Sequence, residues 1–476
     1  MSTTPRPQLV RGLGLIGSTS IVAGTIIGTG IFLVPSAIAR QVDSVGLVFA
    51  VWVVGGLLSL AGALSYAELG AALPYAGGEY VFLRRAYGPL WGFLYGWEQF
   101  VIGKTGSIAT IATAFAVFLG YFSGALNQEM LRLPLGLATW SLTGAQVISL
   151  AAIIGLTVIN YLGIIVGGTV QTVFTVLKVA ALLALVALGF AVGGGEWSHF
   201  SPFFAAPRGA GTLSAFGVAL VAALWAYDGW NNLTMVGEEV RDPERNIPRA
   251  LIFGVLGVGL VYMLANAVYF YVLPLAAVQG SERVAQDVAR TFLGEWGGAA
   301  ITVGALISTF ATLNGAILSG ARVPYAMARD RLFFRHLADV HPVHRTPAKG
   351  LLLQCVLSCV LVLISGVLSD IIYAVFGERR DPFEILFTFT IFGLWIFYGM
   401  ATASVFVLRH KEPDLPRPYR TLGYPWVPGI FVAVAIVFCL NILFSKPVET
   451  GVGLLFLAAG LPFYLVWRRR GGPEQS

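Results

Sequence analysis

The sequence predicts an all-α polytopic membrane protein of twelve transmembrane helices, the first ten forming two inverted repeats of five and helices 1 and 6 being discontinuous. Three observations carry this. Of the 476 residues, 57% are hydrophobic and only 11% charged, with a mean hydropathy of +0.79, whereas a soluble globular chain carries about 25% charged residues. Apolar segments long enough to cross a bilayer recur along the whole length. Two of them, five apart, are interrupted by glycine and polar residues, as expected if each repeat opens with a broken helix.

The segments run over residues 14–38, 46–72, 90–122, 143–160, 166–192, 212–237, 250–273, 297–322, 349–367, 384–408, 427–444 and 450–467. They divide the chain into an N-terminal arm (1–13), a first repeat (14–192), a second repeat (193–408), a Pro-rich link (409–426), helices 11 and 12 (427–467) and a tail (468–476) that is expected to be disordered beyond Arg470. An even number of spans puts both termini on one side. Of the 30 Lys and Arg, 20 fall on that side, 8 on the other, and Lys104 and Lys178 lie within spans, so both termini are expected in the cytoplasm. The net charge of +6 is thus topological, and no basic domain is present to hold nucleic acid. Cys355, Cys359 and Cys439 all lie in apolar stretches without metal-ligand spacing and read as small core residues. The first apolar segment is too long and glycine-rich for a cleaved signal peptide, so it is expected to remain.

Within the first span, Gly24-Thr25-Ile26-Ile27-Gly28-Thr29-Gly30-Ile31-Phe32 places three glycines in seven residues. Each glycine weakens a helix by about 1 kcal/mol relative to alanine. Two explanations stand: freed backbone groups hold a small polar solute at mid-membrane, or the glycines admit a neighbouring helix. The sixth span carries Leu224-Trp225-Ala226-Tyr227-Asp228-Gly229-Trp230-Asn231-Asn232. Asp228 at that depth would cost a few kcal/mol against lipid and must face a wet cavity or a partner. Two breaks at corresponding positions favour a binding site.

Such a site suits a zwitterion. Amides near Gly28, Thr29 and Gly30, at the positive end of a half-helix, can receive a carboxylate. Carbonyls near Ile26, Trp225 and Ala226 can receive an ammonium group, leaving the side chain to Trp225, Tyr227, Asp228 and the space at Gly229.

Several stretches carry a family resemblance. Gly24-x-x-x-Gly28-Thr29-Gly30-Ile31-Phe32, Tyr66-Ala67-Glu68-Leu69-Gly70 and Pro74-x-Ala76-Gly77-Gly78-Glu79-Tyr80 resemble the amino acid–polyamine–organocation superfamily. The run Gly229-Trp230-Asn231, followed by Glu238-Glu239-Val240-x-Asp242-Pro243-x-x-Asn246-Ile247-Pro248, resembles its L-type amino acid transporter branch. The resemblance continues through Asn314-Gly315 to Arg417-Pro418-Tyr419. It implies the LeuT-type fold of ten core spans plus two, and alternating-access, sodium-independent transport of amino acids.

Lys178 follows Thr175 and sits about twelve residues into the fifth span, too deep for easy escape to the interface. The resemblance places it where sodium-driven relatives hold a cation, touching the first-span break and a seventh-span tyrosine, here Tyr262. Ser308 and Thr309 fall where those relatives supply ion ligands. Asp228 stands where many members carry a small residue, so it selects a cationic side chain or pairs with Lys104. A partner such as Glu98 or Asp228 is expected for Lys104. Glu238 and Glu239 are either solvated interfacial charges or an inner gate, for instance against Arg84 or Arg85. Asn314 and Lys104 complete the possible site residues. Animal L-type members dock to a single-span glycoprotein through a cysteine after the third span. No cysteine lies between residues 120 and 142, so no disulfide-linked heavy chain is expected.

The leading expectation is a sodium-independent exchanger of small or medium neutral amino acids, multi-pass in a cell membrane, plausibly a bacterial inner one, and without a cofactor. The alternative is a proton-coupled symporter, including one for cationic amino acids. A membrane-embedded enzyme would need a convergent catalytic cluster, and no HExxH, GxSxG or paired intramembrane aspartates occur.

Overall fold

A computed structural model describes residues 7–134, 139–204, 212–376 and 382–471. Arg6, Arg208, Arg379 and Arg380, counted above for orientation, and the tail beyond residue 471 lie outside the described residues.

The first apolar segment forms α1 (Leu15–Ile26) and α2 (Gly30–Gln41), bent by 43° at the intervening residues. Then follow α3 (Val45–Ala72), α4 (Glu79–Tyr87), α5 (Pro89–Glu98) and α6 (Lys104–Leu119), the last two joined by a π-helical turn at Gln99–Gly103. A hairpin of β1 (Glu129–Pro134) and β2 (Thr139–Thr143) precedes α7 (Gly144–Tyr161) and α8 (Ile164–Val192). The sixth segment forms α9 (Thr212–Ala226), unwinds over the next five residues and resumes as the single turn α10 (Asn232–Met235). The rest comprises α11 (Pro243–Val272), α12 (Leu275–Gly280), α13 (Val284–Leu293), α14 (Trp296–Gly320), α15 (Arg322–Arg329), α16 (Ala348–Phe376), α17 (Pro382–Lys411), α18 (Trp426–Ser445) and α19 (Pro447–Gly471).

Ten of these helical stretches are long and apolar enough to cross a membrane, and the bent α1–α2 pair makes eleven. The sixth segment, expected as a full span, contributes only the short apolar α9, because the helix breaks at Tyr227. The core is built around the first segment: α1 packs on α8, α11 and α14, α2 packs on α9, and α3 lies along α11.

One end of the bundle is strapped shut. Leu13 pairs with the chain just after α10, its amide donating to Glu239 O (3.0 Å) and its carbonyl accepting from Arg241 N (2.8 Å). Beneath this strap Arg322 grips Glu239 through two bonds of 2.7 and 3.0 Å, with both side chains at most 1% exposed. Burial pushes the Glu239 carboxyl above its ordinary range even with this partner. Glu238 instead binds Arg329 (2.9 Å) and the Ala76 amide (3.2 Å). The gate partners expected from sequence are therefore corrected: Arg84 pairs with Asp330 (2.9 Å) and Arg85 with Glu412 (2.6 Å). The short turn at Gly237–Glu239 aims Glu239 inward at α15, leaving α4 to reach other anions.

Candidate functional site

The two breaks face each other. Thr25 Oγ1 donates to Gly229 O at 2.8 Å. Gly229 has φ +111°, and a Cβ there would lie 3.1 Å from the Thr25 carbonyl, so both conformation and spacing require glycine. The glycines of the first break divide between the two explanations left open by the sequence. A Cβ at Gly24 would collide with Thr175 Oγ1 and Gln171 Nε2, and one at Gly30 would come within 2.9 Å of Ala226 Cβ, so these two admit neighbours. Gly28 meets nothing closer than 3.7 Å and opens onto a cavity.

That cavity, of about 220 Å³, is lined by Ile26, Gly28, Thr29, Gly30, Trp225, Ala226, Asp228, Gly229, Thr309 and Lys104 among the residues expected from sequence. It runs along the π turn and α6 from Gly103 to Ala114. Tyr227 is not on its wall: the ring is 1% exposed and packs edge-on against Trp52 of α3, 5.8 Å between centroids. The unwound segment around Gly229 puts Asp228 on the cavity wall and leaves Tyr227 packed on α3.

Lys178, Tyr262 and Ser308 form the layer behind the wall. The Lys178 ammonium donates to Gly24 O (2.7 Å), Ile27 O (2.5 Å) and Ser308 O (3.2 Å), carbonyls of the first break and of α14. Ser308 Oγ donates to Ile27 O at 2.9 Å. The Tyr262 hydroxyl lies 3.1 Å from Ile26 O and 3.0 Å from Ala226 O, bridging the last turns of α1 and α9. Its bonds are to the two breaks rather than to Lys178. Breaking a helix in an apolar bundle frees carbonyls that must be satisfied, and these three side chains do so. Thr309 Oγ1 bonds back to Ala305 O in its own helix (2.8 Å).

Lys104 donates to Asn232 Oδ1, not to Glu98 or Asp228. Glu98 accepts from Gln99 Nε2 (2.8 Å) and Asp228 from the Tyr398 hydroxyl (2.8 Å). These pairings correct the expected partners. The π turn before Lys104 shifts its register relative to Glu98, and the unwinding after Gly229 swings Asn232 to it. Asn314 stands apart from the cavity, linking α7, α8 and α14 through Asn160 Nδ2 (2.8 Å) and Gln171 Oε1 (2.9 Å).

Sequence reasoning missed Thr312, which reaches Gly24 O (3.3 Å) and Ile27 O (3.4 Å). It lies one helical turn beyond Ser308, a spacing that could have flagged it. It also missed the α6 face of Ser107, Thr110 and Ala114, legible as small or polar residues at helical spacing, and Tyr398, which carried no local signal.

A family model described as amino acid permease matches residues 13–466. The chain is 34% identical over 466 residues to the serine/threonine exchanger SteT of Bacillus subtilis (strain 168), covering 97% of this chain and 98% of that protein. It is 30% identical to the human large neutral amino acids transporter small subunit 2, covering 96% and 80%. Against the mouse b(0,+)-type amino acid transporter 1 the identity is 29%, covering 97% and 88%.

Proposed function

Because the chain belongs to the amino acid permease family of the amino acid–polyamine–organocation superfamily, we propose that it is a sodium-independent exchanger of small or medium neutral amino acids. The observation that carries this reading is the pairing of two helix breaks around one cavity, with a buried lysine in place of an ion. In this reading Gly28 and Thr29 lead into α2 at the cavity, where its positive end and the backbone amides receive the substrate carboxylate. The carbonyl ends of α1 and α9 receive the ammonium group. Trp225, Asp228, Ile391 and Leu394 meet the side chain. The Lys178 amine, bonded to Gly24 O and Ile27 O, takes the place of an ion at the first break, so no sodium ion is required.

The same reading takes the chain as a LeuT-type fold of twelve spans with a five-plus-five inverted repeat, α9 and α10 being the sixth. Both termini face the cytoplasm, and the strap at Leu13 with Arg322–Glu239 closes that side. The relatives' names are those of amino acid exchangers and transporters, which supports exchange. The protein acts without a disulfide-linked heavy chain, in keeping with the absence of cysteine from 120–142. A second reading, a proton-coupled or cationic amino acid symporter, draws on the Asp228 carboxylate lining the cavity.

Counterflow in proteoliposomes tests the function. Internal serine or leucine should accelerate entry of the labelled amino acid several-fold, with or without sodium. Accumulation driven by a pH gradient with no internal amino acid would replace exchange by the second reading.

A further inference from the structure

A second lysine, half-buried, lies in the cavity wall, with no part in the layer around Lys178. The π turn Gln99–Gly103 rotates the following helix, and π turns of this kind mark functional positions in helices. Lys104 then projects beside the cavity and donates to Asn232 Oδ1, the oxygen that Ser319 Oγ also reaches at 2.7 Å. Asn232 Nδ2 in turn donates to Gly229 O at 2.8 Å. The ammonium is thus fixed against the second break.

Among the described residues lining the cavity, Lys104 and Asp228 alone carry formal charge, one of each sign. Both sit at the second break, Asp228 beside Gly229 and Lys104 on the Asn232 that binds Gly229 O. Two more carboxyls stand behind the same wall: Glu79, held by Asn231 Nδ2 at 2.6 Å, and Glu98, held by Gln99 Nε2 at 2.8 Å. The lysine is the cation facing this acidic group.

We propose that Lys104 is a specificity-determining residue whose ammonium offsets Asp228 and keeps the site for amino acids with uncharged side chains. The proposal rests on the amino acid transport reading above. With the ammonium removed, Asp228 is the one formal charge left among the described lining residues, so a cationic side chain is drawn in and an acidic one repelled. With Asp228 neutralised, the balance tips the other way. Unit charges about 4 Å apart at an effective dielectric of about 20 attract strongly enough to change a preference about tenfold or more.

Counterflow of serine, arginine and glutamate on wild type, Lys104→Met, Lys104→Arg and Asp228→Asn decides it. The expected result is a rise of about tenfold in the arginine-to-serine ratio for Lys104→Met, the wild-type ratio for Lys104→Arg, and a raised glutamate-to-serine ratio for Asp228→Asn. A purely architectural lysine, holding Asn232 and nothing more, would slow all three substrates by one factor in Lys104→Met, and that outcome overturns the proposal. Should Lys104→Met not fold, Asp228→Asn decides alone, and an unchanged glutamate-to-serine ratio overturns it equally. Wild-type protein that fails to exchange serine refutes the transport reading itself, whereas exchange of serine with no swing in the variants refutes only the role of Lys104.

Discussion

Lys178 Nζ lies 2.7 Å from the carbonyl oxygen of Gly24, tying the fifth expected span to the last turn of α1. Hydrogen bonds to a charged group contribute about 1.5–3 kcal/mol each, and this ammonium makes two short ones to the first break. Lys178→Ala is therefore expected to cut counterflow by at least about a hundredfold while the protein still reaches the membrane. Initial rates normalised to surface protein check this, and unchanged turnover would remove Lys178 from the mechanism.

Gly229→Ala tests the meeting of the breaks. The side chain must adopt φ +111° with its Cβ 3.1 Å from the Thr25 backbone, and strain of this kind costs about 1–3 kcal/mol. The expectation is a loss of transport larger than the loss of melting temperature, measured on the same purified protein.

Tyr262→Phe removes a hydroxyl that bridges Ile26 O and Ala226 O. The single hydroxyl proton is shared between the two carbonyls, a neutral interaction worth about 1 kcal/mol. Transport should fall by roughly tenfold with all substrates alike, since the hydroxyl lies behind the cavity wall and touches none of them. A change confined to one substrate would contradict that placement.

Arg322→Met leaves Glu239 buried without its cation. Removing one partner of a buried pair costs about 3–5 kcal/mol, so a marked drop in thermal stability is expected. The double variant Arg322→Met/Glu239→Gln should recover part of it. Melting curves of the two variants make the comparison.

Burial pushes the Glu79 carboxyl up to about 7, against a bond from Asn231 that pulls it down. The folded protein therefore holds this proton more tightly than the unfolded chain does. The resulting stability is complete below the unfolded pKa, near 4.5, and is lost as pH rises through about 7. Between pH 6 and 8 the protein should lose about 1 kcal/mol through this group. Glu79→Gln should flatten melting temperature over that interval, and an unaltered slope would assign the loss elsewhere.

Much of the fold was legible because a bilayer enforces it. Apolar length defines a span, and the described long helices overlap the segments expected at 46–72, 166–192 and 450–467 closely. The breaks were legible because glycine and carboxylate residues oppose a continuous apolar helix, and Lys178 because a charge at mid-span demands partners. The inner-gate pairings and the neighbours of Lys104 were not. A salt-bridge partner depends on where a side chain several helices away emerges, and helical spacing gives no information across a π turn or an unwound segment.

The sequence by itself determined that this is a polytopic helical protein with two interrupted helices and a buried lysine, since each follows from local composition set against the cost of exposing charge or backbone to lipid. Only the tertiary structure decided which interruption residues hold neighbours and which open a cavity: Gly24 and Gly30 are filled by adjacent helices, Gly28 is not. Only it decided that Asp228 faces inward while Tyr227 packs on Trp52. The physical reason is that the unwound backbone at Gly229, with φ +111°, sets which way its neighbours point, and that direction has meaning only once the opposite break is in place.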